Sequence, residues 1–154
     1  MVIEKAKKEH AEQIAQLLQY IFSLHEKGRP DVFAGRPKYD AEDVRRLIDG
    51  GKALIYVALD GGEVTGYLIA ALKDSPASPH MRAARTLYID DLCVKESHKR
   101  EGTGKALFEQ AKRTAKFLDC ERIDLNVWSF NDDAIKFYQK MGMTVSRMNM
   151  EYKL

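Results

Sequence analysis

At 154 residues the chain has the length of one domain, enough to bury a core without disulfide or metal staples. A net charge of +2, from 25 basic and 23 acidic residues, excludes the dense basic face that nucleic-acid binding requires. A 45% hydrophobic and 31% charged composition excludes a disordered chain, and no apolar run approaches the ~20 residues that span a bilayer, so a cytoplasmic protein without membrane contact is expected.

Residues 2–5 read as a short first strand. From Glu9 onward Ile14, Leu17, Leu18, Ile21, Phe22 and His25 recur at intervals of three and four, the signature of a helix with one buried face, and Gly28-Arg29-Pro30 ends it. The stretch to Tyr39 reads as a loop. Asp40, with Asp43 three residues on, is the expected N-cap of a second helix through Val44, Leu47 and Ile48, closed by Gly50-Gly51. Residues 53–59 and 63–72 are two β-rich runs around a tight turn at Asp60-Gly61-Gly62. A polar, proline-punctuated loop over residues 75–80 leads to a further strand over 87–94.

The charged loop at residues 95–101 runs into Gly102-Thr103-Gly104, where the period becomes helical: Leu107, Phe108, Ala111, Ala115 and Leu118 share a face. A short strand over 123–127 follows. Asn131 is the expected cap of a last helix whose stripe is Ala134, Phe137, Tyr138 and Met141, with Gly142 as its stop. Residues 144–153 read as a closing strand. The order β-α-α-β-β-β-α-β-α-β makes residues 1–154 a single α/β domain.

Two segments carry chemistry. In the first, a strand ends, a charged loop turns and two glycines alternate just before a helix. Glycine permits close approach to a ligand, and the free N–H groups and dipole of a helix start attract phosphate. Lys99, Arg100 and Lys105 add positive charge. By itself Gly-x-Gly is shared with tight turns that bind nothing. Neither the Walker nor the dinucleotide pattern is present. The second segment, from Asn131 to Gly142, is an amphipathic helix, and taken alone its Tyr138 equally suits a core position.

Together the two segments resemble the Gcn5-related N-acetyltransferase (GNAT) superfamily, which carries an Arg/Gln-x-x-Gly-x-Gly/Ala loop after its fourth strand and an Asn-x-x-Ala-x-x-Phe-Tyr-x-x-x-Gly helix. Here these are Lys99-Arg100-Glu101-Gly102-Thr103-Gly104 and the run from Asn131 to Gly142, one helix and one strand apart. The first loop position departs from the pattern: lysine keeps the charge but loses the forked donor geometry, so altered phosphate contacts are expected there.

The resemblance implies a mixed central sheet of six to seven strands flanked by about four helices and splayed between the fourth and fifth strands. It also implies acetyl-CoA as co-substrate. Its pantetheine arm is expected on Leu92, Cys93 and Val94, and its pyrophosphate on Lys99, Arg100, Glu101, Gly102, Thr103, Gly104 and Lys105. Its thiol end is expected beside Asn131, Ala134, Phe137 and Tyr138. Tyr138 is then the expected acid for the departing thiolate, since a phenol stays protonated at neutral pH.

The run Tyr88-Ile89-Asp90-Asp91-Leu92-Cys93-Val94 resembles the acidic strand of polyamine-type acetyltransferases, and Asp90 is preferred to Asp91 as the base. Strict strand alternation puts only one of them in the cleft, Asp90 with Leu92 and Val94, and Asp91 with Ile89 and Cys93. The alternative is an aspartate that merely fixes a neighbouring loop, with water taking the proton.

Cys93 and Cys120 read as buried reduced thiols, and His10, His25, His80 and His98 lack metal spacing, so no metal is expected. Trp128 and Phe130 suit either the acceptor pocket or the core. The expected acceptor is a small cationic amine. The alternatives are a protein N-terminus or lysine and, from another class, a non-catalytic acyl-CoA sensor. Many relatives pair as homodimers, but nothing in the sequence identifies an interface.

Overall fold

The computed structural model of the chain describes residues 1–154. In chain order the elements are β1 (Val2–Lys5), α1 (Ala11–Gly28), α2 (Ala41–Gly50), β2 (Ala53–Asp60), β3 (Glu63–Ser75), β4 (Ala84–Val94), α3 (Thr103–Phe117), β5 (Arg122–Leu125) and α4 (Asp132–Lys140). The strands form one sheet in the order β1-β2-β3-β4-β5, antiparallel except for the parallel pair β4–β5.

Period-2 alternation sorts the central strands onto two cores. Ile55 and Val57 of β2, with Tyr67 and Ile69 of β3, face α1 and α2, where they meet Ile14, Leu17, Leu18 and Val44. Their neighbours Tyr56, Ala58, Leu68 and Ala70 face α3, where they meet Leu107, Phe108, Ala111 and Ala115. The middle of β3 is buried on both sides, which is why it reads as a continuous apolar run. The cap of α2 is as the sequence indicates: Asp40 Oδ1 accepts from Asp43 N at 2.8 Å, and Asp43 Oδ2 accepts from Asp40 N at 3.1 Å.

Three expectations are corrected. The sheet has five strands, not six to seven. Residues 144–153 are not a strand: no main-chain hydrogen bond involves residues 144–154, and the segment's tie to the body is Arg29–Glu151, at 2.6 Å. Alternating apolar residues fit a strand, but a strand exists only where a sheet edge receives it. The third concerns Cys120, which is only partly buried although both thiols are free.

Two features shape the site. First, the β4–β5 ladder runs from Thr86↔Arg122 to Ile89↔Leu125 and stops, leaving the β5-facing edge of β4 without a partner from Asp90 to Val94. The ladder thus ends at the place where the splay between the fourth and fifth strands is expected. Second, β4 carries a bulge, because Ile69 pairs with Asp91 and Ala70 with Ile89, so Asp90 is the extra residue.

Leu68 is fully buried between the two layers of packing on the central strand β3. Leu68→Ala is expected to cost about 2–5 kcal/mol, read from the midpoint of urea unfolding at unchanged slope.

Candidate active site

The bulge alters which side chains share a face. Ile89 packs in the α3-side core and Cys93 in the α1/α2-side core, although strict alternation would put them together. The extra residue shifts the phase, and both Asp90 and Asp91 turn toward the α1/α2 side. There they meet different partners. Lys38 Nζ donates to both oxygens of Asp90 at 2.7 and 2.8 Å, and Tyr39 Oη donates to Oδ2 at 3.2 Å. Asp90 thus anchors the loop between α1 and α2.

Asp91 has no cation against it. Tyr67 Oη donates to its Oδ2 at 2.9 Å. Loss of water around the carboxyl, with the negative Asp90 next door, pushes Asp91 up to about 6, against the opposing pull of the Tyr67 hydroxyl and the Leu92 main chain. Burial likewise raises the Tyr67 phenol well above its ordinary range.

Tyr138, in α4, packs on the α3-side core with its ring 6.3 Å from Phe108 and 5.1 Å from Phe137. Burial raises its phenol, and the charges of Asp91 and Cys93 raise it further. Its hydroxyl has no hydrogen-bond partner in the protein. Tyr138 thus lies within electrostatic reach of Asp91. Burial also pushes the Cys93 thiol up to about 12, which leaves it a protonated core residue and not a nucleophile.

At the start of α3, the N–H groups of Arg100, Glu101, Gly102, Thr103, Gly104 and Lys105 all lack an acceptor within the protein; the first satisfied amide is Ala106, bonded to the Gly102 carbonyl at 2.9 Å. Arg100 (φ 67°) and Gly102 (φ 90°) are both left-handed, a backbone turn of the kind that can form an anion-binding concavity. The free amides make this loop a candidate anion cradle. The Arg100 and Lys105 side chains are exposed and take part in no ion pair, whereas the Lys99 ammonium is held at 2.6 Å by Glu96 and at 3.1 Å by the Tyr20 hydroxyl.

Gly104 has a different reason to be small: a Cβ there would lie 3.2 Å from the Phe137 ring, so this glycine lets α4 dock on α3. Asn131 Oδ1 caps α4 by accepting from Ala134 N at 3.2 Å. The β5-facing main chain of Leu92, Cys93 and Val94 is open, because these residues pair only with β3, at Leu68, Tyr67 and Gly66.

The structure also gathers residues that local sequence patterns do not connect. His25 at the end of α1 stacks on Phe33 at 5.1 Å, Phe33 meets Trp128 edge-on at 5.3 Å, and Trp128 stacks on Phe130 at 6.2 Å, with Arg29 over the Trp128 ring at 5.4 Å. Arg29 in turn holds Asp31 at 2.9 Å. Lys38, Tyr39 and Tyr67 join the site only through contacts 24 to 52 residues apart in the chain. A depression of about 370 Å³ lined by Asp74, Arg85 and Glu121 lies at the opposite end of β4 and takes no part in the site.

A candidate anion cradle at a helix start, an open strand edge and a phenol on the last helix match one family. The profile of the acetyltransferase (GNAT) family aligns with residues 8–143. The chain belongs to that family. The BH1408 protein from Bacillus halodurans, crystallised as mutants, has the same architecture, with a TM-score of 0.96 and 31% identity over 100% of this chain and 99% of its own. The aminoglycoside N-acetyltransferase AAC(6')-Iy, solved in complex with CoA, shares the fold alone, with a TM-score of 0.71 and 16% identity over 99% of this chain and 98% of its own. L-ornithine N5-acetyltransferase NATA1 of Arabidopsis thaliana is 34% identical over 70 residues, 46% of this chain and 31% of that protein. The chain spans about a third of that relative's length.

Gly102 has open space where a Cβ would stand, so a substitution there tests backbone geometry without crowding. Gly102→Ala is expected to cost about 1–2 kcal/mol in thermal unfolding through left-handed strain alone. Titration calorimetry should show acetyl-CoA affinity falling at least tenfold if the curled loop forms the cradle; unchanged affinity would make the loop a simple turn.

Proposed function

We propose that the protein is an acetyl-CoA-dependent N-acetyltransferase that acetylates a small primary amine by direct attack in a ternary complex. The observation that carries this is the run of unsatisfied N–H groups from Arg100 to Lys105, one short loop after the strand β4 whose edge toward β5 is unpaired from Asp90 to Val94. Six free donors and the helix dipole suit a diphosphate. The open edge at Leu92–Val94 offers main-chain partners to an amide-bearing arm, and the cations of Arg100 and Lys105 flank the cradle.

In the reaction the amine nitrogen bonds to the acetyl carbonyl carbon and the carbon–sulfur bond breaks. The nitrogen must shed a proton and the sulfur must gain one. We assign the first proton to Asp91 and the second to Tyr138. Asp91 is favoured over Asp90 because Asp90 already carries Lys38, whereas Asp91 makes no ion pair, feels the Lys38 charge only weakly and is pushed up to about 6. A base of that strength does not strip a free alkylammonium of pKa ~10; the acceptor gives that proton to water beforehand and attacks as the free amine, and Asp91 takes the remaining proton once attack on the carbonyl makes the nitrogen acidic.

The Tyr138 phenol remains protonated at neutral pH and donates to the leaving thiolate; solvent then returns its proton and removes that of Asp91. A main-chain N–H on the open edge, at Cys93 or Val94, is suited to polarising the carbonyl oxygen. Asp91, as the acid without a cation against it, together with the aromatic set His25, Phe33, Trp128 and Phe130, supports a compact cationic acceptor.

Thiol release from acetyl-CoA, measured against amines of graded size and charge and against a peptide N-terminus, tests this reading. Release with a small amine is expected; binding of acetyl-CoA with no release for any acceptor would make the protein an acyl-CoA sensor. Tyr138→Phe should lower kcat by ~10²–10⁴ while leaving acetyl-CoA affinity nearly unchanged.

The pH dependence separates the two acids. Because the Asp91 pKa is raised, the base form is lost below about pH 6, so kcat/KM, expressed on the concentration of free amine, should rise through that pH and level off above it. Asp91→Asn should remove that limb along with most of the activity, and the limb should stay in place when a strongly basic acceptor is exchanged for a weakly basic one. A limb that survives Asp91→Asn and vanishes with Asp90→Asn would reverse the assignment.

A further inference from the structure

Tyr67 is a polar side chain in the middle of an apolar core. It sits on the central strand β3, fully enclosed, and shares the α1/α2-side core with Ile14, Leu17, Val57 and Cys93. A phenylalanine would fill nearly the same volume. A buried hydroxyl is costly unless it is bonded, and that of Tyr67 makes one hydrogen bond, to Asp91 Oδ2 at 2.9 Å. The hydroxyl therefore answers to Asp91 and not to packing.

Register explains why the two meet. Asp91 pairs with Ile69, two residues along β3 from Tyr67, so their side chains are diagonal neighbours on one face, a span that a tyrosine bridges. Asp91 Oδ1 makes no hydrogen bond to another side chain, and Asp91 keeps part of its surface open where Tyr67 keeps none.

We propose that Tyr67 is a positioning residue: its hydroxyl holds the Asp91 carboxyl in the ionised form and pins Oδ2, which leaves Oδ1 as the atom that takes a proton. Its part in catalysis rests on the assignment of Asp91 as the proton acceptor.

The surroundings leave this task to Tyr67. The helices α1 and α2 bring Ile14, Leu17, Leu18 and Val44 to this core and β2 brings Ile55 and Val57, none of them charged. Tyr20, at the rim of α1, bonds Glu96, which also holds Lys99 in the loop before α3. On β4 itself stand the negative Asp90 and the protonated Cys93 thiol. Lys38 and Tyr39 of the α1–α2 loop both bond Asp90, and α4 adds the uncharged Tyr138 phenol. Lys38 favours the Asp91 charge from a distance, but the Tyr67 hydroxyl outweighs it. A donor held rigidly by a core cannot turn away when the carboxyl loses its water.

Tyr67→Phe removes the hydroxyl and keeps the ring. In protein carrying ¹³C at the aspartate carboxyls, the Asp91 resonance is assigned by its loss in Asp91→Asn. Its midpoint is expected at about 6 in the unsubstituted chain and about one pH unit or more higher in Tyr67→Phe, as for the loss of a hydrogen bond to a charged group. The acid limb of kcat/KM, expressed on free amine, should move by the same amount, with acetyl-CoA affinity as before. A purely structural role would lower activity by one factor at every pH and leave the limb in place. If Tyr67→Phe fails to fold, the unsubstituted protein still decides: the hydroxyl-bearing ring carbon of Tyr67, followed in ¹³C-tyrosine protein, should titrate with the Asp91 midpoint. An Asp91 midpoint unmoved by Tyr67→Phe, or a Tyr67 resonance indifferent to that titration, would overturn the proposal. A carboxyl midpoint that moves while the kinetic limb stays would confirm the hold on Asp91 and remove Asp91 as the proton acceptor.

Discussion

The point on which this molecule turns is the place where a parallel ladder stops. β4 and β5 are bonded through Ile89 and Leu125 and then part, so the last turn of β4 has one bonded edge and one bare one. Unpaired main-chain groups are costly unless something meets them. Here the main-chain groups of that edge are left without a neighbouring strand to bond them. The loop with the free amides follows directly, because α3 begins one short loop after β4 ends.

The bulge at Asp90 makes the second contribution. Two acids in succession in a regular strand would diverge to opposite faces. The extra residue brings both to the same side and lets them divide their work. Lys38 and Tyr39 neutralise and fix Asp90, which ties the α1–α2 loop to the sheet. Asp91 is left with a neutral phenol as its partner, and the cost of burying its charge appears as a raised pKa. A cation beside Asp91 would have favoured its charged form and weakened it as a proton acceptor. The placement of one lysine therefore separates an ion-paired carboxylate from a buried one with a raised pKa.

Local rules made several features legible. The reciprocal cap at Asp40 and Asp43 and the Asn131 cap of α4 depend on neighbours within four residues, and both are found as expected. The curled loop was recognisable from Gly102 and its setting, although the small size of Gly104 answers to Phe137 of α4 and not to a ligand. The division of labour between Asp90 and Asp91 was not legible, because it rests on a bulge that no residue type announces and on Lys38 and Tyr67, which are distant in sequence. Lys99, expected in the cradle, is committed to Glu96 and Tyr20 for the same reason.

The amino-acid order alone determined what short-range physics controls: which segments are helical or extended, where each helix starts, and that free amides would gather before α3. It determined equally that residues 147–154 have the alternation of a strand. Tertiary structure decided which edges find partners and which charges keep their water. Pairing and desolvation depend on groups brought together from far along the chain, and a strand pattern becomes a strand only when an edge is there to receive it.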